Sequence, residues 1–392
     1  MAEQSLMSTY SRLPLAFTRG EGAWLWDDNG KKYLDAVAGI AVCSLGHAHP
    51  AVAKTLATQA SQLLHTSNLY RIPLQEELGE VLIERSGMER CFFGNSGAEA
   101  NEAAIKLARL YGHQKGIEKP HIIVMEQSFH GRTMATLSAT GNRKIQAGFE
   151  PLVGGFLRVP FNDVAAVQQV AENRQDVVAI LVEPIQGESG VQIPDTGYLT
   201  QLRALCDQQG WLLMLDEIQT GMCRTGQWFA WQHEQARPDV MTLAKALGNG
   251  VPIGACLAQG VAADVLVPGS HGSTYGGNPL VCAAALTTIE VMAAQQLDQK
   301  AATLGSQLLN GLTEQLAGVT GVVELRGRGA MIGIELDRPC GELVTQAIDQ
   351  GLLINVAGGN VIRLLPPLIM DSEQVQQVIT TLIPLVCRFL AE

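Results

Sequence analysis

The chain reads as an α/β protein with a large unit built on a central, mostly parallel sheet and a smaller α+β unit, and three observations lead there. Short apolar runs over 177–182 and 211–215 lack the alternation of a half-exposed strand, so they read as strands buried on both faces. Helical periods lie between such runs, the alternation that builds a parallel sheet with helices on its faces. From about Asn278 the texture changes to long helices, then short strands, then a final helix. At ~150 residues per domain, 392 residues allow two or three domains and a sizeable core.

In chain order, the pattern predicts a helix over 98–111, strands over 121–125 and 177–184, a helix over 198–209 and, after Gly210, a strand over 211–217. Asn278-Pro279 supplies a cap and a first-turn proline for a long helix, and another helix is expected over 301–316. Strand-like pieces follow at 322–325, 331–336, 352–356 and 361–365. The last helix carries Val375, Val378, Ile379, Leu382, Ile383 and Val386 on one stripe. These boundaries suggest a large unit of residues 51–290 and a small one that joins 1–50 to 291–392.

Composition narrows the function classes. Lysine and arginine number 27 against 38 acidic residues, a net charge of −11, and no basic run could follow a phosphate backbone, so nucleic acid is not an expected partner. No apolar run approaches the ~18 residues that span a bilayer, and residues 1–15 lack the apolar core of a secretory signal. The eight cysteines are never closer than the 17 positions from Cys206 to Cys223, so no CxxC pair exists; they read as reduced core residues of a cytoplasmic protein, with no metal expected. Glycine, at 41 residues, exceeds the usual ~7% without any three-residue period, which points to sharp turns and close approaches rather than to collagen.

Three segments could carry chemistry. Ser96 and Glu99 form an S-x-x-E capping box beside Gly94 and Gly97; the free N–H groups of such a helix end can seat a phosphate, although an ordinary capped helix reads equally well from it. Asp216 ends an apolar strand where open α/β sheets place ligand groups, and it could instead cap a helix or pair with an arginine. Lys245 lies in an apolar run before a glycine-rich turn, where desolvation would favour Schiff-base or proton-transfer chemistry, with a snorkelling lysine as the alternative. Together, a phosphate seat, a buried carboxylate and an activated lysine are the parts that hold pyridoxal 5'-phosphate.

Six segments carry a resemblance: Asn95-Ser-Gly-Ala-Glu-Ala-Asn-Glu102, Ser128-Phe-His-Gly-Arg-Thr133, Glu183-Pro-Ile-Gln-Gly-Glu188, Leu215-Asp-Glu-Ile-Gln-Thr-Gly221, Leu243-Ala-Lys-Ala-Leu-Gly248 and Ser273-Thr-Tyr-Gly-Gly-Asn-Pro279. They resemble the class III, ornithine-type aminotransferases over nearly the whole chain. Within that class, Gly20-Glu-Gly-Ala-Trp-Leu-Trp26, Leu45-Gly-His-Ala-His-Pro50 and His65-Thr-Ser-Asn68 are most similar to the members acting on acetylornithine.

The resemblance implies a fold-type I pyridoxal-phosphate transferase, a homodimer with active sites at its interface, that moves the terminal amino group of N-acetylornithine to 2-oxoglutarate, giving glutamate, in arginine biosynthesis. Siblings acting on succinylornithine, N-succinyl-diaminopimelate, ornithine or 4-aminobutyrate are the alternative. It implies that Lys245 is the Schiff-base lysine and that Asp216 partners the ring nitrogen, with Gln219 near the ring hydroxyl and Phe129 stacked on the ring. Ser96, Gly97 and Ala98 are implied to hold the phosphate together with Thr274 of a second subunit, and Ser273 lies close to the substrate. Arg132 is implied to bind one substrate carboxylate and Arg363 a second, with Glu188 alternately paired to Arg363 and released from it.

Other features carry less. His47 and His49 alternate like metal ligands but read as a turn before Pro50, and Arg326 and Arg328 read as a solvated strand end. Gly248-x-Gly250 and Gly327-x-Gly329 lack the context of a dinucleotide fingerprint. Met222 and Cys223 depart from the family, which often has smaller residues before its Arg-Thr-Gly.

Overall fold

A computed structural model describes residues 5–391. Its centre is a seven-stranded sheet in the spatial order Arg90–Gly94, Gly254–Ala258, Val240–Leu243, Leu212–Asp216, Val177–Val182, His121–Met125, Phe156–Val159. Six strands run the same way, and Gly254–Ala258 alone is antiparallel to both neighbours.

Every side chain of Val177–Val182 is buried. Val177, Ile180 and Val182 enter one core cluster, while Val178, Ala179 and Leu181 enter another. With apolar layers on both faces, the strand needs no polar side, which is why its sequence does not alternate. The helix Gly97–Gln114 forms part of the second layer through Ala103, Ala104, Leu107 and Ala108, and it starts one residue before the expected span and ends three after it.

Strand expectations hold at His121–Met125 and Met331–Leu336, and the helix Tyr198–Gln209 matches its predicted limits. Asn278 caps the helix Pro279–Ala294 by accepting from Val281 N at 3.1 Å. The stretch 352–356 is not one strand. Leu352–Leu353 pairs in parallel with Leu34 and Asp35 of the N-terminal sheet, whereas Asn355–Ala357 joins Val361–Leu364 in the C-terminal sheet. The C-terminal sheet runs Val322–Arg328, Met331–Leu336, Val361–Leu364, Asn355–Ala357.

The final helix, Ser372–Ala391, corrects the reading of hydropathy along the chain: its 20 residues are long and apolar enough, by length and composition, to cross a membrane. Its stripe of Val375, Val378, Ile379, Leu382, Leu385, Val386 and Phe389 is buried and packs on the helix Leu297–Leu316.

Candidate active site

The carboxyl ends of the parallel strands converge on one cavity of about 400 Å3. Such ends are where open α/β sheets place ligands. Asp216 closes Leu212–Asp216, Lys245 follows Val240–Leu243, Ser96 follows Arg90–Gly94 and Phe129 follows His121–Met125. Ser96, Gly97, Ala98, Phe129, Arg132, Asp216, Gln219 and Lys245 all line the cavity.

Ser96 Oγ accepts from Glu99 N at 3.2 Å, one half of the expected box. Glu99 reaches one residue further back than such a box does, accepting from Asn95 N and from Asn95 Nδ2 at 2.7 Å. Gly97 and Ala98 occupy the first helical turn, where N–H groups have no carbonyl partner within the helix. The loop of Phe129 packs closely on this end: a Cβ on Gly131, at φ 143°, would meet Ala98 Cβ at 2.9 Å and Thr136 Oγ1 at 2.5 Å.

Asp216 is 4% exposed and held by three donors. Asn101 Nδ2 at 2.7 Å and His130 Nδ1 at 2.8 Å reach Oδ2, and Ile218 N reaches Oδ1 at 3.1 Å. Asn101 is committed in turn: its Nδ2 also donates to His130 O at 2.8 Å and its Oδ1 accepts from Thr242 Oγ1 at 2.8 Å. An ionised carboxylate only accepts, with about four lone-pair positions, so these donors leave one position on Oδ1 unused, and Asp216 lines the cavity. Asn101, His130 and Thr242 escaped the sequence reading. His130 stood inside a quoted motif, but its partner is 86 positions away, and no local spacing signals such a contact.

Lys245 sits at φ 43°, a left-handed backbone that a side chain rarely adopts, and such strain concentrates at functional sites. It is half-buried by surface area yet walled by protein; this desolvation lowers its ammonium pKa, which Glu188 partly offsets. Glu183 accepts from Phe129 N at 2.8 Å, and burial pushes its carboxyl up to about 7. Gln219 Oε1 is buried without a hydrogen-bond partner.

Arg363 and Glu188 are not among the residues that line the cavity. Arg363, 1% exposed, donates from Nη1 to Glu188 Oε1 at 2.7 Å and to Gly187 O at 3.0 Å, and from Nη2 to Asn355 Oδ1 at 2.7 Å. Burial alone would raise the Glu188 carboxyl; Arg363, and after it Lys245 and Gln219, hold it below its ordinary value. Ser273 and Thr274 are not brought into the cavity. Ser273 Oγ accepts from Asn95 Nδ2 at 3.2 Å, and Thr274 is exposed.

Residues 6–386 match the family model described as aminotransferase class-III. The chain is a class III aminotransferase. This family places an amino-group transferase on the fold just described, with pyridoxal phosphate as the implied cofactor. Among its relatives, an acetylornithine aminotransferase of Nitrosomonas europaea is 57% identical over 98% of both chains, and an acetylornithine aminotransferase 1 of Bordetella bronchiseptica is 52% identical over 99% of both. Among solved class III structures, an ornithine aminotransferase of Toxoplasma gondii superposes with a TM-score of 0.96 at 35% identity, covering 99% of this chain and 93% of that one. An N-acetylornithine aminotransferase of Stenotrophomonas maltophilia gives 0.86 at 37% identity over 98% of both chains.

One expectation about a side site changes. Arg326 is not a solvated strand end: it is 7% exposed and donates into the loop of Glu188. His47 and His49 flank a turn at Ala48 just before the helix that Pro50 opens, in line with the turn reading, and His47 Nε2 meets Asp35 Oδ2 at 2.7 Å. Met222 and Cys223, both buried, have φ 56° and 71°, a region smaller residues enter at less cost.

Proposed function

We propose that this class III aminotransferase transfers the terminal amino group of N-acetylornithine to 2-oxoglutarate, in the cytoplasm, as a step of arginine biosynthesis. The observation that carries the reading is the convergence of Lys245, Asp216 and the helix start at Ser96 on one cavity. Similarity to acetylornithine aminotransferases at 57% and 52% identity supports the choice of donor.

The donor set fits pyridoxal 5'-phosphate. A helix amino terminus with free N–H groups suits its phosphate, the unused position on Asp216 Oδ1 suits a protonated ring nitrogen, and the unpartnered Gln219 Oε1 suits the ring hydroxyl. Bound there, the cofactor supplies an electron sink that acidifies the carbon bearing the amine. Ser96, Gly97 and Ala98 would hold the phosphate and Phe129 would pack on the ring. Asp216 would keep the ring nitrogen protonated, with Asn101 and His130 fixing its carboxylate. Lys245, its pKa lowered by desolvation, would hold the cofactor and supply Nζ as general base and acid.

Arg132 binds the carboxylate of the donor. Arg363 binds the second carboxylate of 2-oxoglutarate or glutamate, and Glu188 neutralises it when the donor, lacking that group, is bound. A planar guanidinium suits carboxylate bidentately, and a swinging glutamate lets one site accept substrates of different charge. Ser273 and Thr274 act in the site of a second subunit. Exposed Leu63, Leu64, Leu69, Tyr70 and Tyr275 support that homodimer, and His65 and Tyr275, with ring centroids 5.4 Å apart, join the two segments that carry them. Residues 51–290 form the cofactor unit, with 1–50 and 291–392 as the small one.

A donor panel tests the reading by following glutamate formation from 2-oxoglutarate. The highest kcat/KM is expected with N-acetylornithine, ahead of succinylornithine, N-succinyl-diaminopimelate, ornithine and 4-aminobutyrate; a large preference for free ornithine overturns it. Lys245→Ala is expected to abolish turnover and the Schiff-base absorbance together.

A further inference from the structure

Four residues lie in register across the C-terminal sheet. Arg326 pairs with Gly333, Gly333 with Arg363, and Arg363 with Asn355. Residues directly opposite in a sheet share a face, so two arginines flank a bare glycine on one surface. The turn 187–191 rests on that bare spot. A Cβ on Gly333 would stand 3.2 Å from Val191 Cβ and 3.3 Å from Gly190 O.

Each arginine grips the turn from its own side. Arg326 donates from Nη2 to Gly190 O at 2.7 Å and from Nε to Val191 O at 2.9 Å, while Arg363 donates to Gly187 O at 3.0 Å. The turn is also closed on itself, with Gln186 N on Gln192 O at 3.1 Å and Gln192 N on Gln186 O at 3.0 Å. Val191 is fully buried at φ 54°, and a β-branched residue stays in that region only where its surroundings hold it. The two cations differ in their counter-ions. Arg326 Nη1 contacts Glu324 and, at 2.7 Å, Glu335, whereas the ion-pair partner of Arg363 is Glu188, whose side chain is 36% exposed.

We propose that Arg326 is a positioning residue that fixes the backbone of the turn 187–191, so that Glu188 leaves and rejoins Arg363 by side-chain rotation alone. This rests on the reading of Arg363 and Glu188 given above. Saturated by Glu324 and Glu335, Arg326 holds the turn without competing for Glu188 or for a substrate carboxylate. Its effect falls on discrimination between the monocarboxylate donor and the dicarboxylate acceptor, not on the chemistry common to both half-reactions.

The test compares kcat/KM for N-acetylornithine with kcat/KM for 2-oxoglutarate in holoenzyme carrying R326Q, R326K, E188A and the double change E188A/R326Q. The expected result is a shift of the ratio by fivefold or more in R326Q, partial recovery in R326K, and no further shift when R326Q is added to E188A, because Arg326 acts through Glu188. An R326Q shift that persists in full on the E188A background overturns the proposal, as does an unmoved ratio in R326Q while E188A moves it. A ratio unmoved by E188A sinks the gate itself and this proposal with it. Should R326Q fail to fold, G333A pushes the same turn with Arg326 intact and is expected to move the ratio; no movement counts against the proposal.

Discussion

Asn101 donates to two acceptors and accepts from a third group, all inside the protein, so its side chain ties Asp216 to His130 and Thr242. Removing it strands the Thr242 hydroxyl and deprives Asp216 of a donor, and buried unsatisfied groups cost ~1–3 kcal/mol each. Asn101→Ala is therefore expected to lower stability in urea unfolding by roughly that amount, and Thr242→Val, which removes one bond to the same amide, by less. Equal melts for Asn101→Ala and the parent chain would refute the network as a stabilising unit. At this scale the legibility of the sequence follows contact range. Lys245, Asp216 and Ser96 were found from the strands and helix they terminate, because their neighbours in sequence announce them. Asn101, His130 and Glu183 act on groups 54 to 115 positions away, and Arg326 was misread because charged neighbours, Glu324 and Arg328, suggest solvent where the sheet supplies cover.

Among the elements, the helices Gly97–Gln114 and Tyr198–Gln209 and the central strands His121–Met125, Val177–Val182 and Leu212–Asp216 are legible, since periodicity and caps are local. The central strands Arg90–Gly94, Phe156–Val159, Val240–Leu243 and Gly254–Ala258 were not anticipated, and the reversal of the last is hidden besides, because direction is set by the length and path of the connecting loop. The split of 352–356 between two sheets was hidden for the same reason, as an apolar run does not name its partner. One helix contact makes a sharp prediction. The helix Leu297–Leu316 crosses the turn at Gly329 so closely that a Cβ on Gly305 would stand 1.8 Å from Gly329 O. Gly305→Ala is expected to cost ~1–3 kcal/mol or more, as overpacking does, despite the better helix propensity of alanine. A neutral or raised melting temperature would mean that the helix can ride outward at little cost.

For the molecule as a whole, pH dependence of stability has a named contributor in His47. Burial opposes its charge, but the hydrogen bond to Asp35, with a further contribution from Cys43, pushes its pKa up to about 9 from 6.5. A raised pKa means that the folded state holds the proton more tightly. The contribution is complete below 6.5 and is lost as pH climbs through about 9. At ~1.4 kcal/mol per unit it is at most roughly 3 kcal/mol. His47→Gln is expected to flatten the fall in unfolding free energy between neutral and alkaline pH, and an unchanged slope would remove His47 from the account. A feature of the central sheet has a different consequence. The reversed strand Gly254–Ala258 lies between the strand that leads to Lys245 and the strand that leads to Ser96. The two strands that lead to the amine and to the anion seat are therefore separated by two strand spacings, about 9–10 Å, an interval set by backbone ladders. The strand works as a gauge block: loops at the rim can be lengthened or exchanged to admit other substrates while the distance between these two strands stays the same. Gly254 is where that gauge is most exposed to error, because any Cβ there would press on Ser96 O from 2.2 Å and spread the strands apart.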